Sequence, residues 1–217
     1  MLFRSAKFTG ATFIDYEHGD PLATSKEIVR NAIERFKLRK NKETQIPQES
    51  QDLIAGFTAE NTFQFLGGRY RATYRPLNNA IIEGRLRGAV AVVGCNNPGI
   101  TQDYNHVVIA RELLRHDVLV VETGCSAIAC AKYGMLTPEA AMEYAGEGLR
   151  EVCEAVGLPP ILHLGSCVDN SRILIVLTNM VKEGGLGDAI SDLPIAGCAP
   201  EWMSEKAVSI GLYCVAT

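Results

Sequence analysis

From Gly88 to the end of the chain, short apolar runs alternate with stretches of helical periodicity, and no other feature restricts the fold as much. GAVAVVG (88–94), DVLVVETG (117–124), PPILHLG (159–165), LPIAG (193–197) and LYCVAT (212–217) read as strands. Between them HVVIARELLRH, SAIACAKYG, TPEAAMEYAGEGLREVCEAVG, SRILIVLTNMVKEGG and EWMSEKAVSIG read as helices. Strands that are apolar throughout are buried on both faces, which is the condition of a parallel sheet covered by crossover helices. The expected fold is α/β: an open, mostly parallel, Rossmann-like sheet covered by helices.

The residues before Gly88 differ in pattern. TSKEIVRNAIERFKLR reads as a helix, capped by Thr24 or Ser25, with Ile28, Ile33 and Phe36 near helical spacing. KNKETQIPQESQD reads as a surface connection interrupted by Pro47, and the stretch after it gives a Gly-Gly turn at 67–68 and a short helix led by Pro76. The expected boundary lies near residue 86: residues 1–86 form the end of one α/β domain with its connecting segment, and residues 87–217 form a second α/β domain.

Four of the apolar runs end at a cysteine: Cys95, Cys125, Cys167 and Cys198. In an open parallel sheet the loops leaving the carboxyl ends of the strands line one edge, where ligands bind. Thiols far apart in sequence can converge there, and Gly94, Gly124 and Gly165 permit tight turns beside them. Converging thiolates suit a soft metal or an iron–sulfur cluster. The competing reading is burial, because cysteine is among the most buried residue types. It is preferred for Cys153, on an apolar helix face, for Cys214, in the last strand, and for Cys130, inside the helix that follows Cys125.

Bulk properties exclude other classes. A net charge of −4 offers no electrostatic footprint for nucleic acid. No apolar run approaches the roughly 20 residues of a membrane span, and MLFRSAKF lacks the apolar segment of a secretory signal. A cytoplasmic location is expected. Seven cysteines in that compartment point to ligands, redox groups or core filler rather than disulfides.

Several other residues have two readings. Asn96 and Asn97 could hydrogen-bond sulfurs or turn carbonyls, or mark an ordinary Asn-Pro turn. Asp169 and Asn170 are expected to cap the helix beginning near Ser171, with Asp169 also able to orient the Cys167 loop. His163, His106 and His116 are expected to be structural.

Four strings carry a resemblance to a known family: YRPLNNAIIEGRLRGAVAVVGCNNP, TGCSAIACAKYG, GLPPILHLGSCVDNSRI and APEWMSEKA. They resemble the catalytic subunit of anaerobic nickel–iron carbon monoxide dehydrogenase, in order from about residue 24 onward. The resemblance implies that Cys95, Cys125 and Cys167 help hold a nickel–iron–sulfur cluster of the Ni-4Fe-4S type, where carbon monoxide is oxidised with water to carbon dioxide. It also implies that Lys206 is an acid–base and electrostatic group beside the substrate. A ferredoxin-like electron acceptor and a homodimer are expected from the family, with no nucleic acid and no membrane span. Cys198 stands where the family has a small residue and is read as a spectator.

Relative to that family the chain looks like the end of the middle domain plus most of the C-terminal domain, truncated at its end. The N-terminal region expected to carry further 4Fe-4S clusters, and the middle-domain ligands, do not precede residue 24, so the isolated chain is expected to be inactive. Two alternatives stay open: a hybrid-cluster protein of the hydroxylamine reductase type, which shares the architecture, and a metal-free paralogue acting as an interaction module.

Overall fold

The computed structural model describes residues 14, 20–38, 47–67 and 73–201. The helix expected over 201–211, the strand expected over 212–217, Lys206 and Cys214 lie outside the described residues, apart from Glu201 itself. The chain divides into two compact units, Met1–Glu49 and Ser50–Thr217.

In the first unit α1 spans Pro21–Lys37. It begins earlier than the Thr24 or Ser25 cap expected from sequence. Asp20 accepts a hydrogen bond from the Leu22 N–H at 2.9 Å, and Pro21 starts the helix with its preset φ and no N–H to satisfy. Ser25 instead donates its hydroxyl to the Pro21 carbonyl.

In the second unit α2 (Ala59–Gly67) and α3 (Arg75–Ile82) precede the sheet. Then follow β1 (Gly88–Val92), α4 (Tyr104–Arg115), β2 (Val118–Thr123), α5 (Gly124–Ala131), α6 (Ala140–Tyr144), α7 (Glu147–Val156), β3 (Ile161–Gly165), α8 (Ser171–Glu183) and β4 (Ile195–Cys198). The four strands are ordered β3-β2-β1-β4 and every pairing is parallel. This is the expected α/β class. The helix α2 was not foreseen from sequence, and α6 and α7 break at Ala145 and Gly146 within a stretch read only as helical.

Strand order decides where the helices go. The steps β1→β2→β3 run one way and β3→β4 returns past β1 to the other edge, so right-handed crossovers put α4 to α7 on one face and α8 on the other. Side chains bear this out. Ala89, Leu119, Val121, Leu162 and Leu164 share an apolar space with Ile173, Leu177 and Met180 of α8 and Leu77 of α3. The alternate residues turn to the opposite face, where Val120 is completely buried and Glu122 meets Cys130 of α5.

Backbone closeness at β1 requires a glycine. At Gly88 φ is +150°, and a Cβ there would lie 1.9 Å from the Pro194 carbonyl oxygen, which accepts the hydrogen bond that starts the β1–β4 ladder at Ala89.

A carboxyl interrupts the apolar interior of the sheet. Cys198, Val92, Glu122 and His163 form the last regular row across the sheet, and the Glu122 side chain in it is completely buried. Its Oε1 accepts from the Cys130 thiol at 3.3 Å, while Oε2 has no partner among the described residues. Burial pushes its carboxyl well above the usual carboxylate value, only partly opposed by the Cys130 hydrogen bond. A carboxyl with a raised folded-state pKa contributes stability that is complete below the unfolded value near 4.5 and is lost as pH rises through the folded value. Stability of the parent chain should accordingly fall as pH rises above the unfolded value, and Glu122→Gln should flatten that fall, both measured as urea midpoints across a pH series. Gly88→Ala, in contrast, should cost about 2 kcal/mol or more at every pH in the same titrations, because two backbones must separate.

Candidate functional site at the carboxyl edge of the sheet

The reversal of strand order between β1 and β4 makes a crevice outside their carboxyl ends, the position where open α/β sheets bind ligands. Cys95 lies three residues past the end of β1, Cys125 is the second residue of α5 directly after β2, and Cys167 opens a 3₁₀ turn (Cys167–Asp169) after β3. All three are exposed, and each leaves a strand adjacent to the next. With neighbouring strands about 4.8 Å apart, the three exits span on the order of 10 Å. Cys198 ends β4 and is half-buried, its thiol pushed up by burial and then by the nearby Glu122. Cys130 and Cys153 are buried, as expected for filler; none of the described cysteines is in a disulfide.

Side chains tie these exits to one another. The Thr123 hydroxyl donates to Asn170 Oδ1 at 2.6 Å, joining the end of β2 to the loop after β3. Gly124, at φ +61°, lets that loop close in: a Cβ there would stand 3.2 Å from the Cys167 Cβ. Ser126, one residue beyond Cys125, donates to the Val92 carbonyl at 2.5 Å and so fastens the start of α5 to the end of β1. The Cys167 turn is gripped by Asp169, which accepts from the Ser166 N–H at 2.8 Å and pairs with Arg172 at 3.1 Å. The Ser166 N–H comes first among the causes holding the Asp169 carboxyl below its usual value. Asp169 thus orients the Cys167 loop, one of its two expected roles. Asn170 does not cap α8 with its side chain, because its carbonyl is engaged by Thr123.

The Cys95 exit is held differently. Asn96 donates through Nδ2 to Asp103 Oδ1 at 2.9 Å and to Glu201 Oε2 at 3.0 Å. Glu201 Oε1 accepts the Asn105 N–H at 3.1 Å, in the first turn of α4, where Asp103 is the N-cap residue but makes no side-chain cap. Lys132, just past α5, donates to Asp103 at 2.5 Å. His106 is completely buried with Nε2 3.9 Å from Glu201. Asn97 makes a tight turn, accepting the Gly99 N–H at 2.8 Å.

The other described histidines have ordinary environments. His163 is half-buried with Nδ1 near the Gly165 N–H, and burial lowers its pKa; His116 ends α4 beside Glu112 at 3.0 Å. Glu201, Glu122, Asp103 and Lys132 were not singled out from sequence. Glu122 was detectable, since an acid in the apolar run VLVVETG is a buried charge unless neutralised. The Glu201 contacts span about a hundred residues and have no local signature.

Chemically the edge offers soft sulfur donors on three exits. Among the described residues no three His, Cys, Asp or Glu side chains form a pocket for one metal ion. A polynuclear metal–sulfur cluster asks for something else, since its thiolates bind different metal atoms and must surround a common space rather than meet at a point.

Comparison with known proteins adds the family. The sequence matches the Prismane/CO dehydrogenase family over residues 3–217. It is 51% identical over 212 residues, 98% of this chain and 33% of the relative, to carbon monoxide dehydrogenase 1 of Methanosarcina acetivorans. Carbon monoxide dehydrogenase 1 of Carboxydothermus hydrogenoformans is 41% identical over 218 residues, covering 96% of this chain and 34% of that protein. The chain therefore spans about a third of the length of these curated relatives. Among solved structures, a nickel-free carbon monoxide dehydrogenase from Thermococcus sp. AM4 superposes with a TM-score of 0.78 at 51% identity, over 89% of this chain and 30% of that one. An acetyl-CoA synthase/carbon monoxide dehydrogenase carrying NiZn[Fe4S4] and NiNi[Fe4S4] clusters gives 0.84 at 39% identity, over 97% and 32%. Sequence match, identity and superposed fold agree: the chain belongs to the Prismane/CO dehydrogenase family.

Proposed function

We propose that this chain forms part of a nickel–iron–sulfur carbon monoxide dehydrogenase, supplying Cys95, Cys125 and Cys167 as thiolate ligands and Lys206 as an acid–base and electrostatic group. The observation that carries the reading is the row of three exposed thiols on neighbouring strand exits, in a chain 51% identical to a carbon monoxide dehydrogenase. The donor set fits a thiolate-bound cluster, with one soft ligand per exit. When bound, such a cluster supplies the metal centre at which carbon monoxide and water become carbon dioxide, two protons and two electrons.

The protein's own residues do the rest. The Thr123–Asn170 and Asp169–Ser166 bonds fix the Cys167 thiol, α5 fixes Cys125, and the Asn96 contacts fix the loop behind Cys95. Lys206 contributes an ammonium that stabilises negative charge developing on bound substrate and exchanges a proton with it. The two electrons leave to a ferredoxin-like acceptor.

Three thiols leave some of the five metals of a Ni-4Fe-4S cluster without a protein ligand, and an exposed apolar side chain stands next to one of them. Val168, next to Cys167, is 83% exposed, and Leu174 and Ile175 of the following helix α8 are 59% and 50% exposed. The site is therefore completed by further polypeptide, with residues 1–86 ending a middle domain and 87–217 forming the cluster-binding domain, in a homodimer like those of the family.

Anaerobic reconstitution with iron, sulfide and nickel, followed by metal analysis and viologen-coupled carbon monoxide oxidation, tests this. The isolated chain should bind little metal and show no turnover. In the completed subunit, Cys95→Ala, Cys125→Ala and Cys167→Ala should each lose most of the nickel, whereas Cys153→Ala keeps it and costs about 1–2 kcal/mol of stability through packing. Lys206→Ala should keep metal and lower kcat by about 10²-fold to 10⁴-fold. Equal nickel in all four cysteine variants would overturn the ligand assignment, and a metal-loaded, active isolated chain would overturn the requirement for further polypeptide.

A further inference from the structure

Asp103 is buried, and its backbone stands at φ +70°, a left-handed conformation that, glycine apart, asparagine and aspartate enter most readily. An N-cap aspartate ordinarily accepts an N–H from the first turn of its own helix; Asp103 makes no such bond to α4. Its two oxygens go to other segments instead. Oδ1 accepts from Asn96 Nδ2 at 2.9 Å and Oδ2 accepts from Lys132 Nζ at 2.5 Å. The helix end left open is served by Glu201, which accepts the Asn105 N–H and shares Asn96 Nδ2 with Asp103.

The two partners of Asp103 belong to different thiol-bearing segments. Asn96 follows Cys95 in the loop after β1, and Lys132 follows the last residue of α5, whose second residue is Cys125. The other end of α5 is already fastened to β1 through the Ser126 hydroxyl and the Val92 carbonyl. The bonds therefore close a ring. It runs from Val92 along the chain through Cys95 to Asn96, across Asp103 to Lys132, back along α5 to Cys125 and Ser126, and across to Val92 again. Both thiols are members of it. On the α5 side the ring is stiff, because the segment is a helix held on β2 by the Cys130 thiol, which donates to Glu122 at 3.3 Å. The irregular side is the loop from β1 to α4, and Asp103 is where that side is closed. The Lys132 side chain is half-exposed while that of Asp103 is 12% exposed, so losing the lysine would strand a carboxylate that water reaches poorly.

We propose that Asp103 is a positioning residue: by holding Asn96 and Lys132 together it closes this ring and fixes the Cys95 exit against the Cys125 exit before any metal is bound. This rests on the reading of Cys95 and Cys125 as ligands. Asp103 acts on the two thiols through their neighbours in the chain, Asn96 and the end of α5. A loop ordered in advance spends no binding energy on its own ordering, so opening the ring weakens the hold on a cluster without removing a ligand.

The test uses Lys132→Met, which opens the ring at its half-exposed link, and Asp103→Asn, which keeps an acceptor for Asn96 and tolerance of the left-handed backbone but loses the charge. On the metal-free 217-residue chain, amide hydrogen exchange over 96–104 should be about tenfold faster in either variant and no faster when the two are combined. It should stay close to the parent in Lys132→Arg, with β2 and β3 unchanged throughout. In the completed, metal-loaded subunit, the half-time of iron loss to a chelator should shorten about tenfold in Lys132→Met and Asp103→Asn and recover in Lys132→Arg. Parent-like exchange over 96–104 in Lys132→Met, faster exchange spread equally over β2 and β3, or an unchanged half-time in both variants would each overturn the proposal. Cys95→Ala and Cys125→Ala in the same subunit separate the levels. Iron retained there as in the parent removes the ligand reading and this proposal with it, whereas iron lost there with parent behaviour in Lys132→Met removes only the ring.

Discussion

The pairing of β4 with β1 rather than with β3 is the constraint on which the rest depends. Had the chain continued outward from β3, the segments after β1 and β4 would lie at opposite ends of the sheet. Because it returns across the other face through α8, two strand ends that are about a hundred residues apart become neighbours, and the crevice they flank opens beside Cys95. The return is possible only where the backbones can approach, and Gly88 supplies that approach at the start of the ladder. The order of strands thus determines which loops share an edge, and the loops determine which side chains can meet.

Most of this architecture was legible in the sequence, because apolar runs in a parallel sheet carry their own signature. GAVAVVG, DVLVVETG, PPILHLG and LPIAG became β1 to β4, and each intervening helical stretch lies where its periodicity put it. What could not be read there was everything set by distance in space. Strand order does not follow from strand existence. The α1 cap went to Asp20 because Pro21 already favours a helix start, so the Thr24 and Ser25 hydroxyls were left inside the helix. Asn170 looks like a cap for α8 when only its neighbours in sequence are considered, but Thr123 on another strand competes for its carbonyl.

The candidate site divides along the same line. Glycine and cysteine at the ends of apolar runs announced three thiols at strand exits, and the exits do lie on adjacent strands. The groups that secure those exits were silent. Glu201 reads as one acid among many until the fold places it under the first turn of α4, and Lys132 reads as a solvated lysine until it reaches Asp103. Glu122 is the intermediate case, visible as an anomaly in an apolar run but interpretable only once Cys130 is seen to be its partner.

These ties also bear on how a cluster could be held at such an edge. Ordering a free loop costs about 1–2 kcal/mol per residue, and a loop that stays mobile in the folded protein must pass that cost on to whatever it binds. Here the cost is met on folding. Cys125 belongs to a helix, the Cys167 turn is fixed by Asp169, Asn170 and the close approach at Gly124, and the Cys95 loop is tied through Asn96 to two carboxylates. The anchors are carboxylates, amides and hydroxyls rather than further thiols, so they do not compete with the cysteines for a soft metal. A strand-exit edge built in this manner leaves its thiols exposed while the backbone behind them is fastened, which is the preorganisation that lets binding energy go to the metal–sulfur bonds instead of to the loops.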